Sequence, residues 1–174
     1  MELISAEYRA LQVRLHEDPE YGIASVYFAP LVCQAFQQTG SKELLDYGAG
    51  KGRLADEMRK ILGRSFGVRF YDPAIPKWAR SPKPCEFVAC VDVLEHIEPV
   101  FLDSVLDDLR RVTARIGFFT VHTGPAIKIL SDGRNAHLIQ RPYDWWLPKL
   151  IERFDLVQFV RDAHGFWVGV EKKL

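Results

Sequence analysis

The chain lacks any excess of charge: 23 basic residues balance 23 acidic ones over 174 positions. This excludes the broad basic surface that holds nucleic acid without specificity, although a local basic face stays open. Cysteine is scarce. Cys33, Cys85 and Cys90 are odd in number and have no Cys-x-x-Cys spacing. A disulfide framework and a cysteine-based zinc site are excluded, no metal is expected, and a reducing cytoplasm is the simplest home. Long apolar runs are lacking too. Residues 21–41 carry no charged side chain, but Pro30, Gln34, Gln37, Gln38, Thr39 and Ser41 make them too polar to span a membrane. The opening residues, Met1 to Glu7, are acidic and unlike a secretion signal. No internal repeat or low-complexity tract is present. Apolar residues make up 48% and charged residues 26%, which excludes global disorder. The length suits one domain (1–174) with a continuous core.

Residues 44–52, Leu-Leu-Asp-Tyr-Gly-Ala-Gly-Lys-Gly, are the most informative stretch. An apolar lead-in ends at Asp46. Gly48, Gly50 and Gly52 alternate, and Leu54, Met58, Ile61 and Leu62 follow at helical spacing until Gly63. The pattern predicts strand, tight turn and helix, with a backbone that can turn sharply and admit a ligand. Two rivals fail on spacing. A dinucleotide fingerprint needs glycine where Arg53 stands, and a P-loop needs Ser or Thr where Gly52 stands.

Two further clusters follow. Val68 to Asp72 is a short β-prone run ending in an acid, 20 residues after Gly52. In nucleotide-binding α/β folds an acid at about that distance accepts ribose hydroxyls. Phe87 to Ile97 begins as an apolar strand and ends in the polar segment Asp92-Val93-Leu94-Glu95-His96.

Together, over about residues 40–120, the three clusters resemble class I S-adenosylmethionine (SAM) dependent methyltransferases. The glycine turn is similar to that family's first motif, and Asp92 to Ile97 resembles its "DVLEHI" segment after the fourth strand. The resemblance implies an α/β Rossmann-like sheet with helices on both faces and an antiparallel last strand. It implies a helical cap over 1–40 and a core over 41–174. It implies SAM as cofactor and S-adenosylhomocysteine as product. Asp46, Gly48, Gly50 and Gly52 would hold the methionine part, Asp72 the ribose, and Pro73, Asp92 and Val93 the adenine and methyl side. Tyr21 would cap the pocket.

The resemblance has one gap. Only 14 residues separate Asp72 from Phe87, and Pro73, Pro76, Pro82 and Pro84 are among them. They leave room for a helical turn near 77–80 but hardly for a strand. The third strand is therefore expected to be shortened or missing.

Chemistry is expected in the loops after the later strands. His122 and His137 are the candidate bases, with Asn135, Arg134 and His96 placed to meet the acceptor. A small-molecule acceptor is slightly favoured by the neutral charge. A phosphate-bearing acceptor could use the basic residues at 128, 134, 141, 149 and 153. The alternatives are a SAM-binding module without transfer, or a methyltransferase acting on nucleic acid.

The remaining elements are placed by periodicity. Helices are expected over 3–16, from Ala24 to Gln38, and from Pro99 until Gly117 ends it. Another starts at Pro142 and carries Trp146, Leu147, Leu150 and Ile151 inward. Strands are expected over 118–122, 156–160 and 166–170, the last two as a pair turning at 163–165.

Overall fold

A computed structural model describes residues 2–173. Six strands form one sheet: β1 (Glu43–Tyr47), β2 (Gly67–Tyr71), β3 (Cys85–Cys90), β4 (Thr113–His122), β5 (Phe154–Arg161) and β6 (Gly165–Lys172), in the order β2-β1-β3-β4-β6-β5. The pairings among β1 to β4 are parallel, and β6 runs antiparallel to both β4 and β5. This is the Rossmann-like arrangement with an antiparallel last strand.

Strand alternation assigns neighbouring residues to opposite faces. Leu44, Phe87 and Phe118 meet α2 (Ala24–Gln38) and α3 (Arg53–Leu62) through Val32, Phe36, Leu54 and Met58. One residue on, Leu45, Val88 and Phe119 share the opposite cluster with Leu106 and Leu109 of α4 (Leu102–Val112) and Trp146 and Leu150 of α5 (Tyr143–Arg153). Both faces of β1 and β3 are thus covered, as expected for inner strands of a parallel sheet. The first helix, α1 (Ala6–Glu17), stands apart in a small cluster of Ile4, Tyr8, Leu130 and Ala136. Of the two helices within 1–40, α2 belongs to the sheet sandwich and α1 lies at its edge. Ser5 starts α1 by accepting the Tyr8 N–H at 3.1 Å.

No strand occurs between Pro73 and Pro84, so β2 is the sheet's edge. The segment instead makes one 3-10 turn at Pro76–Trp78, and Trp78 stacks on Phe70 at 4.5 Å. Two local expectations fail. Gly117 does not end a helix. α4 stops at Val112, and Gly117 sits inside β4 between Val88 and Val170. A Cβ there would stand 2.5 Å from Phe119 Cζ, so glycine serves packing rather than capping. Ile151 is 45% exposed and lies off the inward face of α5. No helix among the described residues is long and apolar enough to cross a membrane.

Candidate cofactor and acceptor site

The site lies at the carboxyl edge of the sheet. The chain crosses to opposite sides there, from β1 to β2 and then to β3, which leaves a crevice above the strand ends. Tyr47 leads into Gly48, Gly50 and Gly52, whose φ values are 78°, 50° and 76°. Side-chain-bearing residues enter that region only with strain. Space also demands glycine at the first position, because a Cβ on Gly48 would stand 2.4 Å from Val93 Cγ2. Gly52 faces Trp78 and Phe70 and forms the left-handed N-cap of α3.

Two acids flank this loop. Asp72 accepts the Gly50 N–H through Oδ2 at 2.8 Å and the Ala74 N–H through Oδ1 at 2.9 Å. Asp46 is buried, and its Oδ2 has no hydrogen-bond partner. Burial, and then the charge of Asp72, push the Asp46 carboxyl up to about 7.

Between the acids opens a cleft of about 810 Å³, counting the space at its mouth. The glycine loop, Pro73, residues 91–93 and His96 line its floor and sides. Its other wall is α1, which contributes Tyr8, Gln12 and His16. The Tyr8 hydroxyl donates to the His96 carbonyl at 2.6 Å and accepts from Gln12 Nε2 at 2.6 Å. His16 stands 4.0 Å from Asp72, and burial lowers its pKa, so its neutral form is favoured. The connection after α1 is tied to the glycine loop. Lys51 donates to the carbonyls of Asp18 and Tyr21, and Arg53 to that of Pro19. The Tyr21 ring lies edge-on to His16 and to His96, with centroids 5.1 and 6.0 Å away.

A polar cluster occupies the end of the cleft beyond β3. Asp92, with φ 59°, is the one non-glycine of positive φ among the described residues. Its N–H donates to Thr120 Oγ1 at 2.8 Å. The 3-10 turn Leu94–His96 then buries Glu95 and His96. Glu95 Oε1 accepts the His122 N–H at 2.5 Å, while Oε2 has no partner. Burial holds the Glu95 carboxyl well above its usual range. His96 and His137 meet edge to face at 4.7 Å, and His122 lies 4.8 Å from His137. Burial lowers His96 to about 4 and also lowers His137, so both rings are neutral at pH 7.

The expected site residues divide by location. Tyr21, Asp46, Gly48, Gly50, Asp72, Pro73, Asp92, Val93 and His96 line the cleft; Gly52, His122, Arg134, Asn135 and His137 do not. His137 adjoins it through His96. The Asn135 amide is occupied in holding its loop: Oδ1 accepts from Ala126 and His137, and Nδ2 donates to the Ala126 carbonyl. Arg134 pairs with Asp132, Lys128 with Asp18, and Arg153 with Asp103, Asp107 and Glu152. Tyr8, Gln12, His16 and Lys51 were not expected at the cleft. Their signal is present in the sequence: residues 8, 12 and 16 recur every fourth position and form a polar helical stripe.

A family model described as "Methyltransferase domain" matches residues 23–165, and the chain belongs to that family, within the class I superfamily its motifs resemble. Solved structures share the fold at low identity. The 1,6-didemethyltoxoflavin-N1-methyltransferase of Burkholderia thailandensis, with bound 1,6-didemethyltoxoflavin and S-adenosylhomocysteine, is 17% identical at a TM-score of 0.66, covering 100% of this chain and 93% of that one. The N-methyltransferase NodS of Bradyrhizobium japonicum, in complex with S-adenosylhomocysteine, is 12% identical at a TM-score of 0.58, covering 98% and 100%. Human N-acetylserotonin methyltransferase, in complex with SAM, is 14% identical at a TM-score of 0.64, covering 95% of this chain but 57% of its own. No curated protein sequence matches the chain.

Proposed function

We propose that the chain binds SAM in this cleft and transfers its methyl group to a small-molecule acceptor, releasing S-adenosylhomocysteine. The observation that carries the reading is the pairing of two buried acids across a left-handed glycine loop. The residues present fit the cofactor. The Asp46 oxygen without a partner suits the ammonium of the methionine part. Asp72 gives one lone pair of each oxygen to the backbone and keeps the others for ribose hydroxyls. Pro73 and Val93 offer apolar walls for adenine, Asp92 borders the methyl side, and Tyr21 and α1 restrict water. When bound, SAM supplies a methyl group already activated on a sulfonium.

The chain's own task is then alignment of the acceptor with that methyl group and exclusion of water. The acceptor end is bounded by Asp92 and His96. Of the two candidate histidines, His137 is the one we place to act there. It adjoins His96, whereas the His122 ring lies behind it with Nδ1 engaged by the Gly124 N–H at 3.1 Å. A small acceptor is favoured by zero net charge and by the pairing of Lys128, Arg134 and Arg153 with acids. Three buried free thiols suit the cytoplasm.

Calorimetry with SAM and S-adenosylhomocysteine tests the cofactor. Both should bind, and folded protein that binds neither overturns the proposal. Radiolabelled methyl transfer into a cell extract, separated into RNA, protein and small molecules, tests the acceptor. Label is expected in the small-molecule fraction. Label in RNA would move the activity to nucleic acid, and cofactor binding with no label anywhere would leave a binding module.

A further inference from the structure

Three residues of the polar cluster at the acceptor end bring their ligand atoms together. One possible ligand atom from each of Asp92, His96 and His137 lies within 4.8 Å of the others. The two histidines are held alike. His96 Nδ1 bonds the Ala136 carbonyl at 2.8 Å, and His137 Nδ1 bonds the Gly124 carbonyl at 2.8 Å. A bond from Nδ1–H to a backbone carbonyl fixes the tautomer with a bare Nε2 lone pair, as outer partners do for metal-binding histidines.

A second, independent observation comes from Glu95. Its side chain is fully buried, one oxygen accepts the His122 N–H, and the other has no hydrogen-bond partner. Buried polar atoms left unsatisfied mark places where an ion or a water binds. Asp92 itself takes a left-handed φ of 59° at the start of the turn.

We propose that Asp92, His96 and His137 hold one divalent cation at the acceptor end of the cleft, with its open positions facing an oxygen of the methyl acceptor. Two imidazoles and one carboxylate on one side of an ion leave coordination positions free. Asp92 and His96 both line the cleft, so the free positions face the bound acceptor. The set is looser than a loaded one, in which bonds are about 2.1 Å, and side-chain rotation draws it in. Positioning by His137 is thereby given a physical form. The cation site follows from the cluster itself, whereas its orientation of a methyl acceptor rests on the function proposed above.

The test counts metal on chelator-stripped full-length protein. Dialysis against Zn²⁺ and, separately, Mn²⁺ is followed by elemental analysis, and S-adenosylhomocysteine is titrated in parallel by calorimetry. About one ion per chain is expected for at least one metal, with a raised midpoint of thermal unfolding. His137→Ala should weaken uptake by at least about tenfold. His137→Gln, which keeps a donor for the Gly124 carbonyl, serves as a second variant if the alanine protein unfolds. His164→Ala, on the turn between β5 and β6, should change nothing. Failure of both metals to bind, or equal uptake by wild type and the His137 variants, overturns the cation site. S-adenosylhomocysteine binding without metal uptake overturns the cation site alone. Metal uptake without S-adenosylhomocysteine binding supports it and overturns the cofactor reading.

Discussion

The Gly50 N–H donates to the Asp72 carboxylate at 2.8 Å, joining the loop after β1 to the end of β2. The acid that would meet the ribose also shapes the loop that would meet the methionine part. A single buried side chain would thus position both halves of the proposed cofactor site.

Removing that side chain should affect both halves. Asp72→Ala leaves the N–H groups of Gly50 and Ala74 without acceptors. The expected cost is about 1–3 kcal/mol per group left buried and unpaired, read by urea unfolding. S-adenosylhomocysteine affinity should fall at least about tenfold, as charge-assisted bonds of this kind contribute about 1.5–3 kcal/mol. Asp72→Asn, which keeps an acceptor oxygen, should recover much of the stability and less of the affinity. Normal affinity in the alanine variant would place the ribose elsewhere.

Gly48→Ala tests the contact between the loop and the segment after β3. It combines a φ of 78° with a Cβ placed 2.4 Å from Val93 Cγ2. Strain and overpacking together should cost about 2–4 kcal/mol. Adding Val93→Ala removes the clash but not the strain, so the double variant should recover only part of the loss. Full recovery would show that the backbone accepts a side chain there.

Much of this was legible because glycine and acid positions follow from backbone geometry. Gly48 and Gly50 at a strand end, Asp72 at 20 residues beyond Gly52, and four prolines after it led to the loop, the second acid and the missing strand. The boundary at Gly117 was misread because glycine ends helices and also fits crowded strands, and only the sheet partners distinguish the two. The 92–96 segment and His137 were expected at one acceptor pocket, but the approach of their ligand atoms to within 4.8 Å was not. Forty residues lie between the histidines in sequence, and hydrogen bonds from their Nδ1 atoms to the Ala136 and Gly124 carbonyls hold them at one point. The α1 wall was missed because its polar stripe resembles a solvated face until the helix is seen over the cleft.

Cofactor binding should be linked to a proton through Asp46. Burial raises this group from 3.8 to about 7. In the free protein it is therefore protonated below about pH 7, and it costs the folded state stability as pH rises from 3.8 to about 7. The ammonium of the methionine part favours the ionised form. Affinity for S-adenosylhomocysteine should thus fall between pH 8 and pH 6, by up to about tenfold per unit below the Asp46 pKa. Proton release should appear as a dependence of calorimetric heat on buffer ionisation enthalpy. Asp46→Asn should bind weakly and flatten the profile. An unchanged profile in that variant would assign the linkage to another group.

α1 is anchored to the segment after β3 through Tyr8. The Tyr8 hydroxyl links that helix to the His96 carbonyl, and it is buried between that carbonyl and Gln12 Nε2. Tyr8→Phe keeps the ring and leaves the carbonyl and the amide without it, which should cost about 1–3 kcal/mol in stability. Its effect on ligand should be kinetic. If α1 covers the cofactor, weakening its anchor speeds dissociation of S-adenosylhomocysteine more than it slows association, because tuning of affinity falls mainly on the off-rate. Gln12→Leu offers a comparison, since it removes the amide yet leaves the Tyr8 to His96 bond in place. Stopped-flow displacement should show faster release in Tyr8→Phe than in Gln12→Leu at similar fold stability. Equal release from both variants and wild type would mean that α1 packs beside the site without closing it, and that cover must come from Tyr21 and the Lys51-anchored connection alone.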